Sequence, residues 1–491
     1  MSYYIGADLG TSALKLLLVD ENKKILNTVS KSYDVSYPNP GWSEQSPEVW
    51  WQAFEEGVLE LIKDINGNEV KGIAVAGQMH GLVILDKEDN VIRPAILWND
   101  SRCQKETDYL NEVVSKEKLS SLTANIAFAG FTAPKILWLR DNEPDNYKNI
   151  SKIMLPKDYI NYMLTGVHST DYSDAAGMLL LDVKNKCWSD EMIKICGIDK
   201  GMLAKLYESY EAVGTVKADV AKSLGLESGV KVAAGAGDNA AAAVGTATVG
   251  EGGCNISLGT SGTIFISSER FGVDTNNALH SFCHADGGYH LMGCMLSAAS
   301  CNKWFCDEVL KTNDYSGVQS DITDDMLGKN NVFFLPYLMG ERSPINDTNT
   351  TGMFIGLRPD TNRADMLLAI LEGVAFAVRD NAEVAKSLGI EIKRSTVCGG
   401  GAKSKLWMKI LANILDIELV IPSIEEGPGY GGAILAMTAC GLYNSVKDAV
   451  SIEVKEVIKP DEKLVALYKE RYEKFRNIYP EMKQLYKKLK D

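Results

Sequence analysis

A single carboxylate stands in a run of small residues near the middle of the chain. The run is Ala233-Ala-Gly-Ala-Gly-Asp-Asn-Ala-Ala-Ala-Ala-Val-Gly245, and Asp238 is its only ionisable residue. The glycines before it allow a sharp turn and a close approach to a ligand, and the alanines after it predict the start of a helix. We predict that Asp238 is a general base that takes the proton of an attacking hydroxyl in phosphoryl transfer. Capping of the helix is the alternative role.

The same run also satisfies a dinucleotide-binding fingerprint, Gly235-x-Gly237-x-x-Ala240, after a short apolar strand. That pattern would indicate an oxidoreductase. It is weakened because the fingerprint usually lies in the first strand–helix unit and requires an acidic residue about 20 positions later. Here that region is a glycine-rich segment around Glu251.

A second carboxylate, Asp8, lies at the tip of a predicted antiparallel hairpin, beside the turn Gly10-Thr11-Ser12. The segment Asp8-Leu-Gly-Thr-Ser12 recurs as Ser257-Leu-Gly-Thr-Ser261, with four of five positions identical. Turns of this composition present N–H and hydroxyl groups to phosphate. Two such turns predict that a nucleotide polyphosphate is held between two similar domains.

Only the first copy of this turn carries an aspartate. Since hard cations prefer oxygen ligands, the difference favours a role for Asp8 at a magnesium ion or in catalysis. Lys15, on the adjoining strand, could reach a phosphate or remain an exposed strand residue.

Polar and aromatic residues at other predicted strand ends could bind a sugar. Gln78-Met79-His80 follows a buried strand, at the position where ligands bind to such sheets. Trp98 could cover the apolar side of a sugar, and Asp100 could accept hydrogen bonds from its hydroxyls. A buried structural His80 and a structural role for Trp98 and Asp100 are the alternatives.

The order of predicted elements supports an internal duplication. Residues 1–246 and 247–491 each predict three antiparallel strands followed by helix, strand, helix, strand and helix. In the second half the three strands are Cys254 to Leu258, Thr263 to Ser267, and Tyr289 to Gly293. The fold class is therefore α/β with two like domains and a cleft between them, followed by a C-terminal helical tail.

Composition narrows the class of protein. The 491 residues are 45% hydrophobic and 24% charged, with a net charge of −14. This acidic balance argues against nucleic-acid and anionic-membrane partners. The ten cysteines show no framework spacing, and no run of about 18 apolar residues occurs. We therefore expect a cytoplasmic protein with reduced thiols.

Motifs along nearly the whole chain resemble the FGGY carbohydrate kinases. The motifs are Asp8-Leu-Gly-Thr-Ser-Ala-Leu-Lys15, Gly77-Gln-Met-His-Gly81, Leu97-Trp-Asn-Asp-Ser-Arg102, Leu155-Pro-Lys-Asp-Tyr159, Gly237-Asp-Asn-Ala240, Ser257-Leu-Gly-Thr-Ser-Gly262, His280-Ser-Phe-Cys-His284 and Gly399-Gly-Gly-Ala-Lys-Ser404.

This resemblance implies two ribonuclease-H-like domains of the actin-like ATPase type, with ATP and Mg²⁺ as cofactors. The triplet at 78–80 and the histidine-rich run at 280–284 are similar to family members that phosphorylate the terminal 5-hydroxyl of D-xylulose. Another pentulose or a polyol as substrate, and a non-kinase actin-like ATPase, remain alternatives. A homodimer is a possible assembly for a kinase of this kind.

The resemblance also implies roles for individual residues. Asp238 corresponds to the base, and Asp8 to the residue near magnesium and the phosphates. The implied sugar contacts are Gln78, Met79, His80, Trp98, Asp100 and Asn239. The implied nucleotide contacts are Thr11, Ser12, Lys15, Gly259, Thr260, Ser261, Gly262, Gly399, Gly400, Gly401 and Ser404.

Overall fold

The N-terminal half is built on short apolar strands, many of them buried on both faces. The computed structural model of the protein describes residues 1–423 and 426–490. The strands of this half are β1 (Tyr3–Leu9), β2 (Ala13–Asp20), β3 (Ile25–Ser32), β4 (Glu44–Gln45), β5 (Val70–Gly77), β6 (Val83–Leu85), β7 (Ala95–Ile96), β8 (Lys152–Met154), β9 (Ser169–Asp171), β10 (Leu181–Asp182), β11 (Cys187–Trp188), β12 (Lys205–Tyr207), β13 (Ala212–Thr215), β14 (Lys231–Ala233) and β15 (Ala236–Gly237).

The helices of this half cover the sheet and carry the inserted segment between β5 and β13. They are α1 (Pro47–Leu61), α2 (Gln104–Asp108), α3 (Lys116–Thr123), α4 (Thr132–Asn142), α5 (Pro144–Lys148), α6 (Pro156–Thr165), α7 (Tyr172–Ala175), α8 (Asp190–Cys196), α9 (Ala218–Ser223) and α10 (Asp238–Gly245).

The C-terminal half uses fewer and longer elements. Its strands are β16 (Cys254–Leu258), β17 (Gly262–Ser268), β18 (His280–Cys283), β19 (Tyr289–Met295), β20 (Phe333–Leu335), β21 (Met353–Ile355), β22 (Arg394–Cys398), β23 (Glu418–Pro422) and β24 (Val454–Ile458). Its helices are α11 (Ala299–Trp304), α12 (Tyr315–Gln319), α13 (Arg363–Ser387), α14 (Lys405–Leu415), α15 (Pro428–Ala439), α16 (Val446–Ala449) and α17 (Glu462–Lys490).

The two main sheets have the same strand order, which confirms the predicted duplication of elements. The first runs β3-β2-β1-β5-β14-β13, with β15 also paired to β5. The second runs β18-β19-β17-β16-β22-β23-β24, so that β19 corresponds to β3 and β24 to β13. In both, three central strands are parallel and the flanking strands are antiparallel. The edge strand β18 has no counterpart in the first sheet and was not among the predicted strands.

Helix α15 joins the halves by packing backbone against backbone. It follows β23 in the chain, yet it lies on the sheet of the first half. A Cβ added to Gly6 of β1 would stand 1.9 Å from the carbonyl oxygen of Gly429, and one added to Gly431 would stand 1.9 Å from that of Ala241 in α10. Only glycine permits such approaches. As a result, α15 contacts both the strand that carries Asp8 and the helix that begins at Asp238.

The C-terminal helix α17 packs on the second half through Tyr468, Tyr472 and Phe475, which are all buried. Arg471 on the same helix forms a buried ion pair with Glu372 at 2.7 Å. Among the helices of residues 1–423 and 426–490, none combines the length and apolar character needed to cross a bilayer.

The contact between β1 and α15 yields a stability prediction. Gly6→Ala would force these backbones apart, and we expect it to destabilise the fold by about 3 kcal/mol, at the upper end of overpacking costs. Gly214→Ala in β13 is the control, because its new Cβ would meet neighbours no closer than 3.5 Å. Thermal unfolding should show a much larger drop in midpoint for Gly6→Ala. Equal midpoints would contradict the packing described.

Candidate active site

Asp238 and the triplet at 78–80 are delivered by adjacent parallel strands. β15 pairs with β5, with Gly237 opposite Gly77. Gly235, just before β15, has a φ of +75°, and a Cβ there would stand 2.0 Å from the carbonyl oxygen of Val75, so the turn requires glycine. Asp238 therefore lies beside the polar triplet at the carboxyl ends of the strands, where ligands bind to such sheets.

The Asp238 carboxylate is placed to accept a proton near neutral pH. It accepts hydrogen bonds from the backbone N of Asn239 at 2.7 Å and from Asn239 Nδ2 at 3.0 Å. Burial raises the pKa of Asp238 to about 7, the charge of Asp8 adds to the rise, and the bonds from Asn239 oppose it. The N-cap of α10 is Gly237, so Asp238 is not the helix cap.

Asp8 lies near the end of β1, partly exposed, directly opposite Lys15 of β2. Burial raises the pKa of Asp8 to about 6, with Lys15 lowering it and Glu426 raising it. Lys15 Nζ is ion-paired with Glu426, just before α15. The charge of Asp8 also contributes to the raised pKa of Asp238, so the two carboxylates interact electrostatically.

Two glutamine side chains form hydrogen bonds to the first glycine-threonine-serine turn. Gln78 is 2% exposed; its Oε1 accepts from Thr11 Oγ1 at 3.3 Å and its Nε2 donates to Gly10 O at 3.4 Å. Gln45 Nε2 donates to Thr11 O at 2.7 Å. Gln78 thus orients the turn instead of opening into a sugar pocket, while Ser12 is exposed at its tip.

The second turn, Gly259 to Gly262, is backed by the start of α11. The backbone N of Ala298 donates to Thr260 O at 3.0 Å, and that of Ala299 donates to Gly259 O at 2.8 Å. Ser261 is exposed at the tip of the hairpin, and Gly262 is buried where β17 begins.

A cavity of about 620 Å³ opens beside this second turn. Its volume suits a nucleoside. Five of the residues predicted to bind the nucleotide line this cavity. Gly399, which directly precedes Gly400, is not among the lining residues, and neither are Ser261 and Gly262. The predicted lining residues are Gly259, Thr260, Gly400, Gly401 and Ser404, and sequence reasoning missed Asn302, Tyr315, Gln319 and Trp407.

Ser404 organises one wall of this cavity. Its Oγ donates to Gln319 Oε1 at 2.6 Å and accepts from the backbone N of Trp407 at 3.1 Å, as the N-cap of α14. The serine is recognisable from sequence as a helix cap. Its partner on α12 is not, because no local pattern relates residues so far apart.

His80 is held in a strained backbone conformation beside Asp238. Its φ is +68°, which is uncommon for a residue with a side chain and is often found at functional sites. Its Nδ1 lies 2.7 Å from Gly177 O, and its ring stacks on Phe131 with centroids 4.6 Å apart. Burial lowers the pKa of His80 to about 3 against the opposing bond to Gly177, so the ring is neutral.

Met79 is buried and contacts the residue next to the base. Asn239 Nδ2 lies 3.9 Å from its sulfur. Met79, His80, Asn239 and Asp238 therefore form one cluster at the ends of β5 and β15.

Trp98 and Asp100 differ in accessibility although both lie on one loop. Trp98 is 47% exposed, and its Nε1 donates to Thr11 Oγ1 at 3.0 Å, beside the first turn. The Asp100 side chain is fully buried; its Oδ2 accepts from Ser43 N at 2.6 Å and pairs with Arg102 Nη2 at 2.7 Å. No Asp100 oxygen is open to the cleft, so the structure does not support its expected contact with sugar hydroxyls.

Arg342, which was not among the predicted residues, reaches the aromatic cluster that packs on His80. It comes from the second half, and its guanidinium lies over the ring of Phe128 at 4.9 Å. Burial lowers the pKa of both His80 and His280, and the positive charge of Arg342 lowers it further. The loop that carries it has no periodicity, and the sequence alone does not reveal that it reaches the first half.

Two family models cover most of the chain. The N-terminal domain of the FGGY family of carbohydrate kinases matches residues 3–245, and the C-terminal domain of the same family matches residues 254–440. The chain belongs to the FGGY family of carbohydrate kinases. It is therefore a kinase that uses ATP, with the two-domain actin-like fold that its motifs implied, and the oxidoreductase alternative is wrong.

Individual relatives extend over nearly the full length. The xylulose kinase of Escherichia coli (strain K12) is 40% identical over 98% of this chain and 99% of its own length. A solved "xyloylose kinase" from Brucella ovis has a TM-score of 0.93 and 38% identity, covering 98% of this chain and 100% of that one. A gluconate kinase from Lactobacillus acidophilus has the same TM-score at 27% identity, with 99% coverage of both chains. Shape alone therefore does not select the acceptor.

The raised pKa of Asp238 predicts a pH-dependent cost to stability. In the unfolded chain this group ionises near its ordinary value of 3.8, and in the fold near 7, because burial and Asp8 disfavour the charge. Stability is therefore lost as pH rises between these values. We expect Asp238→Asn to raise the thermal midpoint at pH 8 by several degrees, and the gain to vanish near pH 4.

Asp86→Asn is the control for that experiment. Asp86 is a half-buried residue just before a turn, and its pKa is lowered, first by the backbone hydrogen bond from Asn90. Its substitution should leave the midpoint at pH 8 unchanged or slightly lower. A stability gain of the same size in both variants would contradict the assignment to Asp238.

Proposed function

We propose that this chain is an ATP-dependent xylulose kinase. It transfers the γ-phosphoryl group of ATP to the terminal 5-hydroxyl of D-xylulose, giving D-xylulose 5-phosphate and ADP. The observation that carries the proposal is the juxtaposition of Asp238 with Met79 and His80 at the ends of two paired strands. The full-length similarity to the Escherichia coli xylulose kinase supports the choice of sugar.

Asp238 is proposed to accept the proton of the 5-hydroxyl as the phosphoryl group is transferred. The transition state of phosphoryl transfer is loose, so the protein mainly positions groups and stabilises charge. A base with a pKa of about 7 is well matched to this work near neutral pH. The bonds from Asn239 keep the carboxylate in one orientation.

The sugar is proposed to lie between Met79, His80, Asn239 and Trp98. His80 is neutral, and donation from its Nδ1 to Gly177 O would leave Nε2 as an acceptor for a sugar hydroxyl. Arg342 approaches this cluster from the second half. Gln78 and Asp100 are proposed to act indirectly, by holding the loops on which these contacts depend.

The nucleotide is proposed to bind across the two halves. Adenosine would occupy the cavity lined by Gly400, Gly401 and Ser404, and Gly399 opens that segment. The phosphates would reach toward the turns at 10–12 and 259–262. Lys15 would have to exchange its present partner, Glu426, for a phosphate.

Mg²⁺ is proposed to bind with the nucleotide at Asp8. Within the described part of the chain, the Asp8 carboxylate accepts no hydrogen bond, and carboxylate oxygens are ligands that Mg²⁺ prefers. The residues therefore fit the ion. Those described residues include no group of three His, Cys, Asp or Glu side chains placed to hold a metal, so phosphate and water would complete the coordination. When bound, the ion would neutralise phosphate charge.

The chain is proposed to divide into two domains near its midpoint. We place the boundary of the two domains between residues 246 and 247, with α15 crossing back to the first sheet. We also propose a cytoplasmic location, in keeping with ten cysteines that show no framework spacing, and a homodimer as the assembly.

The choice of sugar is tested by a coupled assay of ADP release. We expect kcat/KM for D-xylulose to exceed that for D-ribulose, D-gluconate and glycerol by at least about tenfold, because unpaired buried polar groups penalise a poorly fitting acceptor. Equal or better use of another acceptor would reassign the substrate while leaving the kinase class intact.

The role of Asp238 is tested by removing its carboxylate. We expect Asp238→Ala to lower kcat about 10²–10⁴-fold, the usual contribution of a positioned base, while ATP binding persists. Asp145→Ala is the control, because that side chain is 97% exposed. Turnover close to that of the unsubstituted protein in Asp238→Ala would refute the assignment.

A further inference from the structure

A fully buried lysine lies beneath the active-site turn, surrounded by aspartates. Lys157 of α6 has no exposed side-chain surface, and its Nζ lies 2.6 Å from Asp158, 2.9 Å from Asp171 and 3.8 Å from Asp174. Burial alone would lower the pKa of Lys157, but the three carboxylates outweigh it and raise the pKa. Lys157 is therefore a permanent cation in the interior, and such a charge is stable only when it is paired.

One of these carboxylates connects the lysine to the turn that carries Asp238. Asp171 Oδ1 pairs with Lys157, and its Oδ2 accepts from Ser209 Oγ at 2.7 Å and from the N and Oγ of Ser173. The Ser173 hydroxyl donates its proton to Asp171, so its oxygen is free to accept a hydrogen bond. The donor of that bond is the backbone N of Gly237, at 3.2 Å. Gly237 immediately precedes Asp238.

The same cluster supports the neighbouring strand. A Cβ added to Gly77 would stand 2.8 Å from Lys157 Cβ, so the lysine packs directly against the end of β5. Because β15 pairs with β5 at this point, the base and the sugar-binding triplet share one buried support. These side chains are too deeply buried to contact a substrate.

We infer that Ser173 is a positioning residue for Asp238, held in place by Asp171 and Lys157. The inference rests on the proposed role of Asp238 as the base. The Ser173 hydroxyl holds the Gly237 peptide and thereby sets the orientation in which the carboxylate meets the acceptor hydroxyl. Displacements of about 1 Å in such groups can cost about 10²-fold in rate.

The chain offers a matched pair of variants. Ser173→Ala and Ser209→Ala each remove one hydroxyl donor from the same oxygen of Asp171, but only Ser173→Ala also removes the acceptor of the Gly237 N–H. Both side chains are buried, so similar losses in thermal midpoint are expected.

We expect Ser173→Ala to lower kcat at least about tenfold with the KM for ATP unchanged, and Ser209→Ala to keep kcat within about twofold of the unsubstituted protein. Equal kcat losses in the two variants, or an unchanged kcat in Ser173→Ala, would overturn the inference. If Ser173→Ala does not fold, Ser173→Cys, whose sulfur is a weaker acceptor, takes its place with the same two criteria.

The measurement separates this inference from the choice of sugar. Ratios of kcat are taken with whichever acceptor the unsubstituted protein uses best, so a wrong sugar assignment leaves them interpretable. Loss of activity in Asp238→Ala together with full activity in Ser173→Ala would retain the base and reject the positioning role.

Discussion

The candidate active site depends on the direct contact of α15 with both β1 and α10. The contact is made by backbone atoms, because Gly429 meets Gly6 and Gly431 meets Ala241 at distances that exclude a side chain. β1 carries Asp8 and α10 begins at Asp238, so this backbone contact joins the elements that carry the two carboxylates. An interface without rotatable side chains has few alternative arrangements, and closely packed interiors transmit displacement instead of absorbing it.

This constraint has an electrostatic cost. Burial raises the pKa of Asp8 to about 6, with Lys15 opposing the rise and Glu426 adding to it. Burial raises the pKa of Asp238 to about 7, and the charge of Asp8 adds to that rise. A carboxyl group that titrates near neutral pH is suited to the role of general base that we propose for Asp238. Lys157 is a buried positive charge nearby, but its ion pairs are with Asp158, Asp171 and Asp174 and not with Asp238.

The parts of the fold that followed local patterns were predicted well. The hairpins β1–β2 and β16–β17, their glycine-threonine-serine turns and the duplicated strand order depend on short apolar segments and turn residues, which act over a few positions. The edge strand β18 was not predicted, because its four residues, His280-Ser-Phe-Cys283, show no alternation of polar and apolar side chains. The crossing of α15 to the first sheet was also missed, since helix packing partners are chosen by shape across the whole molecule.

By itself, the sequence determined which chemical groups stand at the strand ends, because a carboxylate after a glycine turn can be recognised within a few residues. The tertiary structure decided which of those groups face the cleft. Asp100 is closed off by Arg102 and Ser43, and Gln78 turns toward the first glycine-threonine-serine turn. Arg342 arrives from the other half. Each outcome depends on a neighbour brought near by folding, and burial and charge pairing act through space, which the order of residues does not record.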